Sequence, residues 1–115
     1  MNPSPRDEGV LGVVALIPAG ALVAYGDVAD LLGECGVECT PRQVARCLSQ
    51  FGSQVPWWRV VQSGGTIAEQ VLPQARERLA AEGVATDGRR VDLEGRRWHP
   101  NLAWLRAELV RSGVL

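Results

Sequence analysis

The sequence predicts one small α+β domain with a winged helix-turn-helix-like architecture. Three observations carry this expectation. At 115 residues the chain fits a single domain, residues 1–115, and 46% hydrophobic against 22% charged residues lets it bury a core. A short helix, a loop and a second, well-signposted helix with an Arg-bearing outer face follow one another between residues 26 and 51. Short extended stretches and Gly-rich turns then alternate with helical patterns to the end of the chain.

The elements follow in order. Residues 1–5 read as a ragged start, and Asp7 to about Leu16 as a short helix stopped by the turn signal Ile17-Pro18-Ala19-Gly20. Ala21 to Ala24 is extended in character. From Gly26 to Gly33, Val28, Leu31 and Leu32 sit at helical spacing, and Gly33 is placed to end the helix. Thr40 is a good N-cap and Pro41 suits the first position of the next helix. There Val44, Cys47, Leu48 and Phe51 form one apolar stripe, with Arg42, Arg46, Ser49 and Gln50 opposite and Gln43 beside them. Pro56 to Gln62 reads as extended, followed by a Ser63-Gly64-Gly65 turn and a brief strand near Thr66 and Ile67. Pro73 opens a helix to about Glu82, stopped by Gly83. Val84 to Leu93 suggests a hairpin around Asp87-Gly88. Asn101 to about Arg111 is a last helix with Leu102, Leu105 and Leu109 along one side.

Charge is unevenly placed. Residues 1–40 carry one Arg against six acids, whereas residues 41–115 carry eleven Arg against seven, for a net charge of −1. All twelve basic residues are Arg, a residue that grips phosphate bidentately and stacks on bases; a GC-rich genome produces the same bias. Cys35, Cys39 and Cys47 are an odd set for a disulfide framework. The Cys35–Cys39 spacing could hold half a metal site, but His99 is the one histidine and lies far off, so no metal and no cofactor are expected. Cys47 belongs to the apolar stripe and reads as a buried, poorly reactive thiol. The longest apolar run, Val10 to Gly20, is too short for a membrane span, and Arg6 is followed at once by Asp7 and Glu8, unlike a signal peptide. A cytoplasmic location is the expectation.

Pro56-Trp57-Trp58-Arg59-Val60-Val61 is the most informative stretch. With Ile17-Pro18-Ala19-Gly20, Tyr25-Gly26 ahead of Val28-Ala29, and Pro41-Arg42-Gln43-Val44, it makes three motifs in order. Together they resemble the DNA-binding domain of the O6-alkylguanine-DNA alkyltransferases, whose active-site motif is Pro-Cys-His-Arg-Val. Trp57 stands in the place of the acceptor cysteine and Trp58 in that of the histidine, and neither indole can act as a thiolate nucleophile or a general base. The pattern is most similar to the alkyltransferase-like branch, in which Trp replaces the cysteine. The match runs from about residue 7 to residue 65, and residues 66–115 are an extension beyond it.

The resemblance implies a set of roles. Arg42 matches the arginine that enters the duplex from the minor groove and fills the space of a flipped nucleotide. Tyr25 matches the tyrosine that presses on the adjacent phosphate, and Thr40, Gln43 and Arg46 complete the expected DNA-binding group. Trp57, Trp58, Arg59 and Val60 would line the pocket for the alkylated base. The expected partner is duplex DNA carrying O6-alkylguanine, bound by a monomer and left chemically unchanged, with the complex marking the site for nucleotide excision repair proteins. Three features depart from the family. Trp58 replaces the histidine that the branch keeps, Phe51-Gly52 occupies the stretch of the hinge Asn, and Gln70-Val71-Leu72-Pro73 lies where the family has a Tyr-Ser-Gly-Gly loop.

Plainer readings stand beside these. Trp57 and Trp58 could be core residues, Arg42 and Arg46 solvated surface, and Tyr25 structural. Trp98 and Trp104 read as core or helix-packing residues and His99 as surface. A competing function is a winged-helix regulator binding a particular palindromic sequence as a dimer, with Trp57 structural and no lesion preference. An enzyme acting on damaged bases ranks last, because no carboxylate, His or Cys group accompanies Trp57 in the motif.

Overall fold

The computed structural model describes residues 2–115. Its elements are α1 (Pro5–Ala15), β1 (Val23–Ala24), α2 (Tyr25–Glu34), α3 (Pro41–Phe51), β2 (Val60–Val61), α4 (Leu72–Ala81), α5 (Leu93–Arg96) and α6 (Leu102–Arg111). Short 3-10 turns fall at Gly52–Gln54, Trp57–Arg59 and Glu69–Val71.

Local chemistry sets the helix starts. Ser4 caps α1 by accepting from the Asp7 amide at 3.1 Å, while the Asp7 carboxylate accepts from Ser4 N at 3.0 Å. Thr40 and Gln43 make the same reciprocal pair on α3, at 3.1 and 3.0 Å. In α2, Asp27 reaches back to accept from Ala24 N at 2.8 Å. The helix therefore begins at Tyr25, immediately after β1.

β1 and β2 pair in parallel, Val23 against Val60 and Ala24 against Val61. Side chains alternate across this ladder and divide the interior in two. Val23 and Val60 join the core of α1, α2, α3 and α6, built on Val10, Val13, Val14, Val28, Leu32, Val44, Cys47, Leu105 and Leu109. Leu22, Ala24 and Val61 join a second core with Ile67, Ala75, Leu79, Val84 and Leu93. Helices α1, α2 and α3 pack on one another, and α3 turns Arg42, Arg46, Ser49 and Gln50 to solvent. α6 closes the first core against α1. A Cβ at Gly12 would sit 3.0 Å from the Leu109 methyl, so glycine permits that close approach.

Four expectations are corrected. Residues 57–59 are a 3-10 turn rather than extended chain, closed by Val60 N donating to Trp57 O. The Val84–Leu93 hairpin shrinks to a bridge between Asp87 and Arg90, because the chain pairs instead with the 62–67 loop. Val91 N donates to Gly65 O at 2.8 Å, and Gly65 has φ +82 with its missing Cβ 2.8 Å from the Val91 carbonyl, so only glycine fits. α5, unannounced by periodicity, is capped by Asp92 accepting from Gly95 N at 2.9 Å. Leu102 does not share the buried stripe: it is 43% exposed, as is Trp104, whereas Leu105 and Leu109 are fully buried.

That contrast is testable by chemical denaturation. Leu105→Ala should cost about 2–5 kcal/mol with an unchanged denaturant slope. Leu102→Ala on the same helix should stay within about 0.5 kcal/mol of the parent.

Candidate nucleic-acid interface

The turn Ile17–Gly20 leads into β1 and the Trp57–Arg59 turn leads into β2, so parallel pairing sets these two motifs side by side. What joins them is Glu82, just past the end of α4. Its carboxylate accepts from Gly20 N at 2.9 Å, from Trp58 Nε1 at 2.7 Å, and from Arg59 Nε and NH2 at 3.0 and 2.6 Å. Arg59 NH1 donates to the Ile17 carbonyl at 2.6 Å. The Arg59 and Glu82 side chains are only 15% and 11% exposed. Burial works against the charged form of Glu82. The hydrogen bonds from Arg59, the Gly20 amide and Trp58, together with the Arg59 charge, outweigh it and hold the carboxyl below its usual range.

Trp57 and Trp58 are half-buried and meet edge to face, with ring centroids 5.7 Å apart. Both pack on the second core. Trp58 is tied down by its N–H to Glu82, and the guanidinium of Arg78 lies 4.8 Å from its ring centroid. Trp57 has no such polar anchor among the described residues; its Cβ lies against the backbone of Gly52 at the end of α3. The structure thus separates the four residues expected to line a pocket. Trp57 and Trp58 are partly open, Arg59 is spent on Glu82 and Ile17, and Val60 is 5% exposed in the first core.

The expected DNA-contacting residues also divide. Arg42 and Arg46 are exposed on α3, and neither forms an ion pair or side-chain hydrogen bond among the described residues. Thr40 and Gln43 are engaged with each other as the helix cap. Tyr25 is half-buried against the first core, burial pushes its phenol pKa up, and its hydroxyl has no hydrogen-bond partner among the described residues. The cysteines lie elsewhere. Cys35 and Cys47 are buried in the first core, and burial, with the Asp7 charge adding to it, pushes Cys47 up to about 12. His99 is exposed and Trp98 partly buried, as the sequence suggested; Trp104 is not a core residue, being 43% exposed, but it packs edge to face on Trp98.

In the sequence Glu82 marks only the end of a helix, and nothing in the spacing of the motif points from Arg59 to a carboxylate 23 residues downstream.

Two predictions follow from this geometry. Glu82→Gln should destabilise the protein near neutral pH by on the order of 3 kcal/mol. Because the folded pKa of Glu82 is depressed, its contribution is present above the unfolded pKa and lost as pH falls through the folded one. The gap between parent and variant should therefore close only at the acid end of a urea-denaturation series; a gap independent of pH would refute the ion-pair account. Cys47 should resist a thiol reagent in the native protein and react once urea unfolds it, as read by mass spectrometry.

Comparison with known proteins supplies the frame for this geometry. The sequence profile described as "6-O-methylguanine DNA methyltransferase, DNA binding domain" matches residues 5–84, extending past the limit near residue 65 that motif matching set and taking in Glu82. The "DNA base-flipping protein" of Escherichia coli (strain K12) is 41% identical over 97 residues, covering 80% of this chain and 73% of that protein. "Alkyltransferase-like protein 1" of Schizosaccharomyces pombe is 32% identical over 81 residues, covering 65% and 72%. Among solved structures, S. pombe Atl1 in complex with damaged DNA containing O6-carboxymethylguanine superposes with a TM-score of 0.70 at 26% identity, covering 87% of this chain and all of that one. The chain belongs to the family of the 6-O-methylguanine DNA methyltransferase DNA-binding domain, and within it to the alkyltransferase-like, base-flipping branch.

Proposed function

We propose that the protein reads O6-alkylguanine in duplex DNA by base flipping and leaves the lesion unrepaired. The observation that carries this is Trp57, a partly exposed indole at the motif position of the nucleophile, in a turn whose other two residues, Trp58 and Arg59, are hydrogen-bonded to Glu82. Cys47, the thiol on the apolar stripe of α3, is 1% exposed in a different core with its pKa pushed up to about 12, and burial also raises the pKa of the partly exposed Cys39, so neither offers a ready acceptor thiolate. α3 enters the DNA, Arg42 fills the space of the extruded nucleotide, and Tyr25 presses its unpaired hydroxyl toward the adjacent phosphate. Extrusion costs about a few kcal/mol, which the inserted arginine and the contacts to the flipped base must offset. Trp57 presents a flat apolar surface to the O6-alkyl group, and Trp58 backs it from the Glu82 side. The protein acts as a monomer, and the persistent complex marks the site for nucleotide excision repair.

Relatives named for base flipping and for the alkyltransferase-like class, and a neighbour solved on damaged DNA, support this reading. A sequence-reading regulator would use the same exposed Arg42 and Arg46, so lesion preference is the property that separates the two.

The test is a titration of one duplex bearing guanine or O6-methylguanine at a single position, at matched salt. The lesion should bind ~10-fold or more tightly, a difference of about 1.4 kcal/mol, with the methyl group intact by mass spectrometry afterwards. Equal affinities would leave a sequence-reading helix-turn-helix protein; loss of the methyl group would make it an enzyme. Arg42→Ala should abolish most of the lesion preference while leaving the melting temperature close to that of the parent.

A further inference from the structure

We propose that the groove between α2 and the Trp98–Leu102 segment docks a protein partner through a basic helix with an apolar anchor. The inference rests on the damage-reading function above: a protein that leaves its lesion in place acts only through what it recruits, and needs a surface that stays free on DNA.

The groove has a volume of about 430 Å³. Leu31, Trp98, Pro100 and Leu102 supply its apolar lining, and Asp30 and Glu34 its acidic edge. Asp27, also at the groove, is neutralised by Arg97 at 2.7 Å, but Asp30 and Glu34 are exposed and neither forms an ion pair among the described residues. Trp104 extends the apolar surface, 43% exposed and edge-to-face with Trp98 at 6.4 Å. All four exposed large hydrophobics of the described chain, Leu102, Trp104, Val110 and Leu115, lie on or just beyond α6. Arg97 also lines the groove, held by Asp27 and Glu94, and Arg106 donates to the Glu34 carbonyl at 2.9 Å, so the charge left over at the rim is acidic. Apolar surface beside such a rim is the composition of a protein-contact site.

The observations select the occupant. Asp30 and Glu34, without ion-pair partners among the described residues, disfavour phosphate and favour a cationic partner. Ala29 and Gly33 face the side where Thr40 and Gln43 lie, Leu31 and Asp27 face Trp98, and Asp30 and Glu34 form the crest that borders both. The apolar part of the groove, Leu31, Trp98, Pro100 and Leu102, therefore lies on the flank away from Thr40 and Gln43. A second copy docking by two-fold symmetry through the same surface would bring two acidic edges into one interface, which costs rather than gains. A partner helix carrying Arg or Lys beside a leucine-type anchor satisfies both the carboxylates and the apolar lining.

The probe is a capped, fluorescein-labelled helical peptide with leucines at i, i+3 and i+7 and arginines at i+4 and i+8. Binding is read by anisotropy and by the indole N–H resonances of Trp98 and Trp104, assigned with Trp98→Phe and Trp104→Phe. The peptide should shift those two resonances and leave those of Trp57 and Trp58 in place. It should bind equally well to the protein preloaded with an O6-methylguanine duplex. Neutralisation in Asp30→Asn/Glu34→Asn should weaken it ~10-fold or more, without loss of the fold by circular dichroism, and should change affinity for damaged and undamaged duplex alike, leaving their ratio in place. The proposal falls if the peptide does not bind, if an arginine-to-glutamate peptide binds as well, if bound DNA displaces it, or if sedimentation shows dimers that Trp104→Ala dissolves. Lesion preference is measured separately on peptide-free protein, so failure of the groove and failure of the damage-reading function are distinct results.

Discussion

One carboxylate holds the DNA-reading end of this protein together. Glu82 gathers the amide of Gly20, the indole N–H of Trp58 and the guanidinium of Arg59, and Arg59 returns to the Ile17 carbonyl. These groups come from three segments: the turn before β1, the turn before β2, and the end of α4. Each would be an unsatisfied polar group in a half-buried site without the others. The parallel ladder brings the two turns together over only two residue pairs, too few to fix their orientation, so the ion pair supplies the rest. Because Trp57 adjoins Trp58 edge to face, the constraint on Trp58 passes directly to the residue in the nucleophile's position.

The same arrangement shows how a family scaffold accommodates the loss of its chemistry. An indole N–H donates and cannot accept, so Trp58 is compatible with a carboxylate that must remain charged, and the depressed pKa of Glu82 keeps it so. Among the described residues the groups around Trp57 and Trp58 are aromatic rings, a spent guanidinium and a carboxylate held in its charged form. The thiols lie elsewhere: Cys35 and Cys47 are folded into the helical core, where burial raises the Cys47 pKa and withholds the thiolate.

Electrostatics divides the surface by function. The acid-rich first forty residues include Asp30 and Glu34 on α2, while α3 turns the unpaired Arg42 and Arg46 outward. A net charge of −1 therefore does not describe the surface that DNA would meet. α2 carries Asp30 and Glu34 along its crest, bordering both the Thr40 and Gln43 side and the groove at Trp98, while Arg42 and Arg46 project from α3.

The sequence by itself determined the longer helices, the cap of α3 and the family motif. Thr40-Pro41 with Gln43 is a cap made of neighbours, the stripe from Val44 to Phe51 follows from helical period, and Pro-x-x-Arg-Val with Trp57 is legible as an alkyltransferase-like motif; the Ser4 cap of α1, in a stretch read as a ragged start, is not. Such features depend on residues a few positions apart, so chain order contains them. What only the tertiary structure decided was which of the marked residues remain free. Arg59 and Val60 carried the family motif, yet one is consumed by Glu82 and the other by the core. Leu102 continued a clean apolar period and still faces solvent, because α1 covers α6 along Leu105 and Leu109 only. The 57–59 turn and α5 likewise hang on bonds that periodicity cannot express. Partners such as Gly20 and Glu82 lie 62 residues apart, and no local pattern encodes a contact whose geometry exists only after two cores have packed on opposite faces of β1 and β2.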